Sequence, residues 1–418
     1  TAIRGDFYWL TDNSRLFLSR GYLSEGQEPE ERLREISDTA EGILGIKGFS
    51  DKFYGYLSKG YYSLSTPVWT NFGNSRGLPI SCFGSHLSDN MGNILHTAGE
   101  VGMMSKYGGG TSGYFGDLRG RGAEITNNGT SSGAVHFMKL FEQVTDTVSQ
   151  GSQRRGRFSP YLPIDHPDIE EFLEIGKEGN DIQNVNHAVT VTDSWMIQMI
   201  GGDGDKRAIW AKVLQSRVEM GYPYIFFTDT VNNNKPRWYK DTPINHSNLC
   251  SEIALPNNDR WSFVCNLSSM NALHFDEWKD TDAVETMTFF LDAVMTEFIE
   301  KLQKLRDADN SEQREAFRFM ERAYNFAKEN RALGIGVLGW HSFLQSKMIP
   351  FESVEASLLN EQIFKTIQER SQSASEELAN LYGEPEFLKG TGRRNSTTMA
   401  VAPTTSSAFI ISQVSQSI

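Results

Sequence analysis

The stretch Asn248-Leu249-Cys250-Ser251-Glu252-Ile253 decides the reading of this chain. Taken as extended backbone, it alternates its side chains, so residues 248, 250 and 252 project to one face. That face presents an amide, a thiol and a carboxylate within about 7 Å of one another, at roughly 3.3 Å rise per residue. An amide can orient a hydroxyl, and a carboxylate can take its proton as a general base. A thiol between them can act as a nucleophile or a hydrogen-atom donor. Leu249, Ser251 and Ile253 would make the other face of an ordinary half-buried strand. Asn and Glu are poor strand formers and costly to bury unpaired, so their shared face asks for a chemical reason.

Cys250 is one of three cysteines in 418 residues, with Cys82 and Cys265. An odd and sparse set excludes a disulfide scaffold and fits reduced thiols in a cytosolic chain. Taken alone, they are either small buried hydrophobes or chemical groups. The formal charge is −13, from 40 Lys and Arg against 53 Asp and Glu. That balance argues against a surface that wraps nucleic acid, while leaving room for a small anionic ligand held by local groups. No apolar run approaches the ~18 residues of a membrane span. The opening TAIRGDFYWL lacks the basic-then-apolar order of a signal peptide.

Around the central stretch, periodicity predicts strands near 66–71, 80–86, 111–117, 187–192, 224–228, 247–253, 261–267, 334–338 and 397–402. Helical patterns cover 28–43, 90–107, 136–148, 281–306, 312–330 and 351–382. The apolar stripe of the fourth runs through Ala283, Met287, Phe290, Leu291, Val294 and Phe298. Strands interleaved with helices, with no linker and no internal repeat, predict an α/β class and one large barrel-like domain.

Several motifs are set aside. Gly108/Gly110/Gly113 and Gly334/Gly336/Gly339 match G-x-G-x-x-G, but a helical pattern precedes each, which is the wrong context for dinucleotide binding. The eight histidines are scattered and no metal site can be read. His166-Pro167-Asp168-Ile169-Glu170-Glu171 reads as the acidic start of a helix. Tyr61-Tyr62 reads as packing. The polar loop from Gln150 to Arg157 carries two glycines and three arginines, and could meet phosphate or a base edge.

With these motifs in view, the sequence resembles the large, catalytic subunit of class I ribonucleotide reductase. Asn248-Leu249-Cys250-Ser251-Glu252-Ile253 matches the family's radical-site motif. Ile80-Ser81-Cys82, Cys265-Asn266-Leu267-Ser268-Ser269 and Thr66-Pro67-Val68 match three others. Pro403-Thr404-Thr405-Ser406-Ser407 matches its phosphate-holding turn. The likeness runs in the family's order from about residue 55 to the end.

The resemblance implies a ten-stranded α/β barrel with a central finger loop over residues 56–418, behind a short helical segment, 1–55. It implies that Cys250 becomes a thiyl radical that removes the ribose 3′ hydrogen. Glu252 would deprotonate the 3′ hydroxyl and Asn248 would hydrogen-bond the substrate hydroxyls. Cys82 and Cys265 would be the reducing pair. Their two electrons match what replacing a 2′ hydroxyl by hydrogen requires. Thr66, Ser81, Asn248, Thr404, Thr405, Ser406 and Ser407 would bind substrate. Asp89 and Arg119 would hold an effector nucleotide, a deoxynucleoside triphosphate or ATP. Gln150, Arg154 and Arg155 would relay its identity to the substrate base.

The implied substrates are ribonucleoside diphosphates, with triphosphates the alternative. No metal or cofactor is expected on the chain itself; the radical would come from a small beta subunit with a metal or tyrosyl radical site. Thioredoxin or glutaredoxin would re-reduce the site, and a homodimer would form through helices such as 90–107. No nucleic-acid or membrane partner is expected. Only about 50 residues precede the barrel, so the family's ATP cone is expected to be absent, as in the small reductases of some phages. The tyrosine relay and mobile cysteine pair of the family's tail are expected to follow residue 418. The cobalamin-dependent class shares the fold, but its radical motif usually reads Asn-Pro-Cys-Gly-Glu, against Leu249 and Ser251 here. A catalytically dead nucleotide-binding barrel is the contrasting non-enzyme reading.

Overall fold

The structure is a computed structural model that describes residues 5–148, 156–412 and 414–418. Eight strands form among them: β1 (Tyr62–Leu64), β2 (Cys82–His86), β3 (Gly110–Tyr114), β4 (Phe158–Pro163), β5 (Ala188–Val191), β6 (Tyr224–Phe227), β7 (Phe263–Asn271) and β8 (Leu333–Leu338). The chain divides into two compact units. One comprises Thr1–Ser81, Cys265–Lys304 and Ala327–Ile418; the other comprises Cys82–Val264 and Leu305–Phe326.

In the second unit β2 to β6 lie side by side in chain order, all parallel. Parallel neighbours need crossover connections, and helices Met91–Lys106 and Ala134–Val148 supply two of them. Their apolar sides, with Val101, Met138 and Phe141, pack into a core with Phe115, Phe158 and Leu162. Asp168 closes the start of the second helix, accepting from the Ala134 N–H at 2.9 Å and the Arg121 N–H at 2.9 Å. The acidic start of a helix at Ile169–Phe172 is formed as expected, and Asp168 beside it serves a neighbouring helix as well.

In the first unit β7 pairs antiparallel with β1, Tyr62 facing Met270, and parallel with β8, Asn266 facing Leu333. Every residue of β7 and β8 is buried. β8 reads as a continuous apolar run, while β7 also buries Asn266, Ser268, Ser269 and Asn271. Tyr62 is fully buried, with Phe53 stacked between it and Phe290, so the tyrosine pair is packing. A polar knot ties the unit together. Asp292 accepts from Arg331 Nε at 3.0 Å, Arg394 Nε at 2.9 Å and Asn395 Nδ2 at 3.0 Å. Burial alone would raise the Asp292 carboxyl; the two guanidiniums outweigh it and hold it below its usual range.

Three expected strands are not strands. Thr66–Asn71 is a helix with Pro67 in its first turn, where the missing N–H costs nothing. The buried Arg32 guanidinium serves its last carbonyls, reaching Trp69 O at 2.8 Å and Val68 O at 3.2 Å. Residues 397–402 contribute only a bridge, Ile335 to Met399. Residues 247–253 form a turn. Against the ten strands implied by the resemblance, the described residues form eight. Neither glycine motif forms the strand-to-helix turn of a dinucleotide site: Gly108 follows a helix at φ +95° and precedes β3, and Gly334 and Gly336 lie within β8.

Candidate active site

The segment Ser247–Ile253 is built around one side chain. Asn248 is buried, and its Oδ1 accepts from the Glu252 N–H at 3.1 Å, the Ile253 N–H at 3.3 Å and the Ser247 hydroxyl at 3.2 Å. An Asn side chain that satisfies amides downstream of itself offers the backbone an alternative to a sheet ladder. Ser251 then takes a left-handed conformation, φ +65°, and the chain reverses. This is why the expected alternation fails: Cys250 stands exposed at a turn, while Asn248 is inside. Sheet residues hold the turn from below. Ser112 of β3 donates to Ser247 O at 2.8 Å, and Tyr161 of β4 donates to Asn248 O at 2.6 Å.

Four of the five expected catalytic residues lie here, Asn248, Cys250 and Glu252 on the turn and Cys82 beside it. The Asn248 Nδ2–H donates to Cys82 Sγ at 3.3 Å, which fastens the turn to the start of β2. Glu252 is half-buried, and among the described residues its Oε2 has no hydrogen-bond partner. Burial raises its carboxyl above the usual range, while hydrogen bonding with Asn248 and its own amide pulls the other way. A carboxyl with a raised pKa and one unengaged oxygen is what a general base requires. Both Cys250 and Glu252 also bear on the Tyr224 phenol, whose pKa burial raises most.

Cys265 is buried in β7. It faces β8 where Gly334 stands; a Cβ at that glycine would lie 3.0 Å from Cys265 Sγ and 2.3 Å from Leu267 Cδ2. The glycine therefore leaves the thiol its room. All three cysteines are thiols.

The expected substrate turn begins at Thr404, φ +57°, and runs into the short helix Thr405–Ile410. Thr404 Oγ1 accepts from the Ser417 N–H at 2.9 Å, and Thr405 Oγ1 donates to Gln416 Oε1 at 3.2 Å. Ser63 Oγ donates to Ser407 O at 2.9 Å and Ser407 Oγ donates to Leu64 O at 3.5 Å, which places the turn beside the segment that leads into Thr66. Ser406 is half-buried in the first turn of that helix, and Ser81 is half-buried just before β2. Thr66 meets the Tyr22 hydroxyl at 3.2 Å. Of the expected effector residues, Asp89 and Arg119 pair with each other at 2.7 Å, and Arg119 also donates to Glu124 O at 2.9 Å. Gln150, Arg154 and Arg155 lie outside the described residues. Among those described, no three His, Cys, Asp or Glu side chains converge as metal ligands, and no helix is long and apolar enough to cross a membrane.

Sequence reasoning missed Ser112, Tyr161 and Ser247. Tyr161 went unseen because β4 reads Phe-Ser-Pro-Tyr-Leu-Pro, and prolines demote a strand.

A family model described as the ribonucleotide reductase barrel domain matches residues 80–206 and 198–391. A protein of frog virus 3 (isolate Goorha), named provisionally as a ribonucleoside-diphosphate reductase large subunit, is 33% identical over 388 residues, covering 88% of this chain and 66% of that protein. The ribonucleoside-diphosphate reductase large subunit of invertebrate iridescent virus 3 is 29% identical over 478 residues, 96% of this chain and 72% of that one. The solved Actinobacillus ureae class Id ribonucleotide reductase alpha subunit superposes with a TM-score of 0.92 at 52% identity, over 99% of this chain and 76% of that one. The chain thus spans about two thirds to three quarters of the length of these relatives. It belongs to the ribonucleotide reductase family, in its large, catalytic-subunit branch.

Proposed function

We propose that this chain reduces the 2′ hydroxyl of a ribonucleoside diphosphate by radical chemistry, with residues 56–418 as its catalytic barrel. The observation that carries the reading is the Asn248 side chain. It joins Cys82 at 3.3 Å to the turn that bears Cys250 and Glu252. In this reading Cys250, exposed at the turn, abstracts the 3′ hydrogen atom. Glu252, with its unengaged Oε2, takes the 3′ hydroxyl proton. Asn248 orients the substrate hydroxyls. Cys82 and Cys265 protonate the departing 2′ hydroxyl, which leaves as water, and give up two electrons in becoming a disulfide. A separate beta subunit supplies the radical, and thioredoxin or glutaredoxin restores the dithiol. Thr66, Ser81 and the Thr404–Ser407 turn hold phosphate through hydroxyls and helix N–H groups, which suits a chain of net charge −13.

Asp89 and Arg119, now paired across 2.7 Å, receive the effector in the same reading: an effector hydroxyl takes Asp89 and its phosphate takes Arg119. Gln150, Arg154 and Arg155 carry the specificity relay, and the chain works as a homodimer in the cytoplasm. The class Id neighbour at 52% identity favours a class I enzyme over the cobalamin-dependent one.

The test is turnover of a ribonucleoside diphosphate with a class I beta subunit, an effector and a dithiol reductant. The unaltered protein is expected to form deoxynucleotide, and Cys250→Ser to bind nucleotide without turnover. Nucleotide binding by the unaltered protein without any turnover would favour the dead-barrel reading.

A further inference from the structure

Tyr161 is fully buried in β4, and its hydroxyl reaches two atoms of the 248–251 turn: Asn248 O at 2.6 Å and Ser251 Oγ at 2.7 Å. The phenol has one proton. Asn248 O can only accept, so the phenol donates there and the Ser251 hydroxyl donates back to the phenol oxygen. The two bonds span the first and last residues of the reversal, on either side of Cys250. The turn's own bond, Ser251 N–H to Asn248 O, is long at 3.3 Å.

Ser251 also needs the help. At φ +65° it sits where a non-glycine residue is disfavoured, and such a conformation persists only when its surroundings over-determine it. The phenol is itself fixed. Its ring meets the His246 ring edge-on at 5.2 Å, and His246 is in turn stacked on Tyr114 at 5.8 Å and tilted against Phe263 at 5.5 Å. His246 lies two residues before Asn248, so one aromatic cage sets both the entry to the turn and the donor that closes it. Burial raises the phenol's pKa, which keeps it a donor throughout the working range.

We infer that Tyr161 is a positioning residue for Cys250: its hydroxyl, shared between Asn248 O and Ser251 Oγ, holds the left-handed turn that presents the thiol. A glycine at 251 would adopt the same φ without strain and would need the clamp less. This inference rests on the reading of Cys250 as the reacting thiol, but the clamp itself can be read without turnover.

The experiment compares the unaltered protein, Tyr161→Phe and the double variant Tyr161→Phe/Ser251→Gly in the full chain. Two readouts are taken: kcat and KM for diphosphate reduction with the beta subunit, and the alkylation rate of Cys250 by iodoacetamide, followed by peptide mapping. Tyr161→Phe is expected to lower kcat by about tenfold or more, with KM within about twofold, since it disturbs the reacting group and not substrate binding. It is also expected to change the Cys250 alkylation rate at least about threefold, a change of the size one lost hydrogen bond allows. The double variant is expected to recover most of both. An unchanged kcat and alkylation rate in Tyr161→Phe would overturn the inference. So would a loss that Ser251→Gly fails to recover, because the phenol would then be acting through the fold at large. If the unaltered protein has no turnover, the proposed function fails, while the alkylation rates still decide the clamp.

Discussion

Asn248→Ala tests how the candidate site is built. Four hydrogen bonds of the side chain tie the turn together: three accepted at Oδ1, from Glu252 N at 3.1 Å, Ile253 N at 3.3 Å and Ser247 Oγ at 3.2 Å, and one donated to Cys82 Sγ at 3.3 Å. They are not equally missed. The Ile253 N–H keeps Ser247 Oγ at 3.0 Å, and thiol sulfur is a weak acceptor. The Glu252 N–H and the Ser247 hydroxyl are left without these partners. At ~1–3 kcal/mol for each orphaned buried group, with the lower end for the part-exposed Glu252 amide, the cost is about 2–4 kcal/mol. Urea unfolding followed by fluorescence reads it as a shift in midpoint at constant slope. Asn248→Asp keeps an acceptor but loses the donor to Cys82, so it is expected to recover part of the stability and none of the turnover. A change below ~0.5 kcal/mol in Asn248→Ala, the size of an ordinary surface substitution, would refute the view that this side chain builds the turn.

Three further outcomes follow from the same geometry. Burial raises the Glu252 carboxyl, so folding favours its proton and stability falls as pH rises from its unfolded value near 4.5 through the raised folded value. Glu252→Gln removes that penalty: thermal melting at pH 7 is expected to shift upward while turnover falls by ~10²–10⁴, and a downward shift would contradict it. His187 and His246 are buried, without ring hydrogen bonds among the described residues, and burial pushes them down to about 4 and about 3. Their unfolded forms take protons below pH ~6.5 that the folded forms refuse, so stability is full above that pH and is lost on acidification. By pH 5 each costs about 2 kcal/mol. The stability gap between pH 7 and pH 5 is expected to narrow by about 2 kcal/mol in His246→Phe, the share of one histidine, with that of His187 remaining; an unaltered gap in urea midpoints would sink the assignment. Asp292→Ala strands the buried Arg331 beside Arg394 and is expected to cost ~3–5 kcal/mol, read by denaturant unfolding; a loss under ~1 kcal/mol would show the knot to be dispensable.

The sequence showed the residue types of the candidate site more clearly than its shape. Cys82, Asn248, Cys250, Glu252 and Cys265 are legible as types in a pattern. The Asn248–Cys82 bond joins residues 166 positions apart, and only the fold supplies it. The extended reading of 247–253 failed because Asn248 bonds forward along its own chain and Ser251 turns left-handed, neither of which periodicity registers. Parallel strands such as β2, β5 and β8 were visible as short strand-like runs. β4 was hidden by its prolines. The helix at Thr66–Asn71 was hidden by β-branched and aromatic residues that mimic a strand, although Pro67 at its start was a helix signal.

The central claim is that three thiols divide into one radical carrier and one reducing pair. It is tested most directly by peptide mapping after a single turnover of the pre-reduced protein with a ribonucleoside diphosphate, an effector and an active beta subunit, with no external reductant. The account predicts one Cys82–Cys265 disulfide per deoxynucleotide formed, with Cys250 recovered as a thiol. Deoxynucleotide formed with Cys82 and Cys265 still reduced, or a disulfide that includes Cys250, would contradict it.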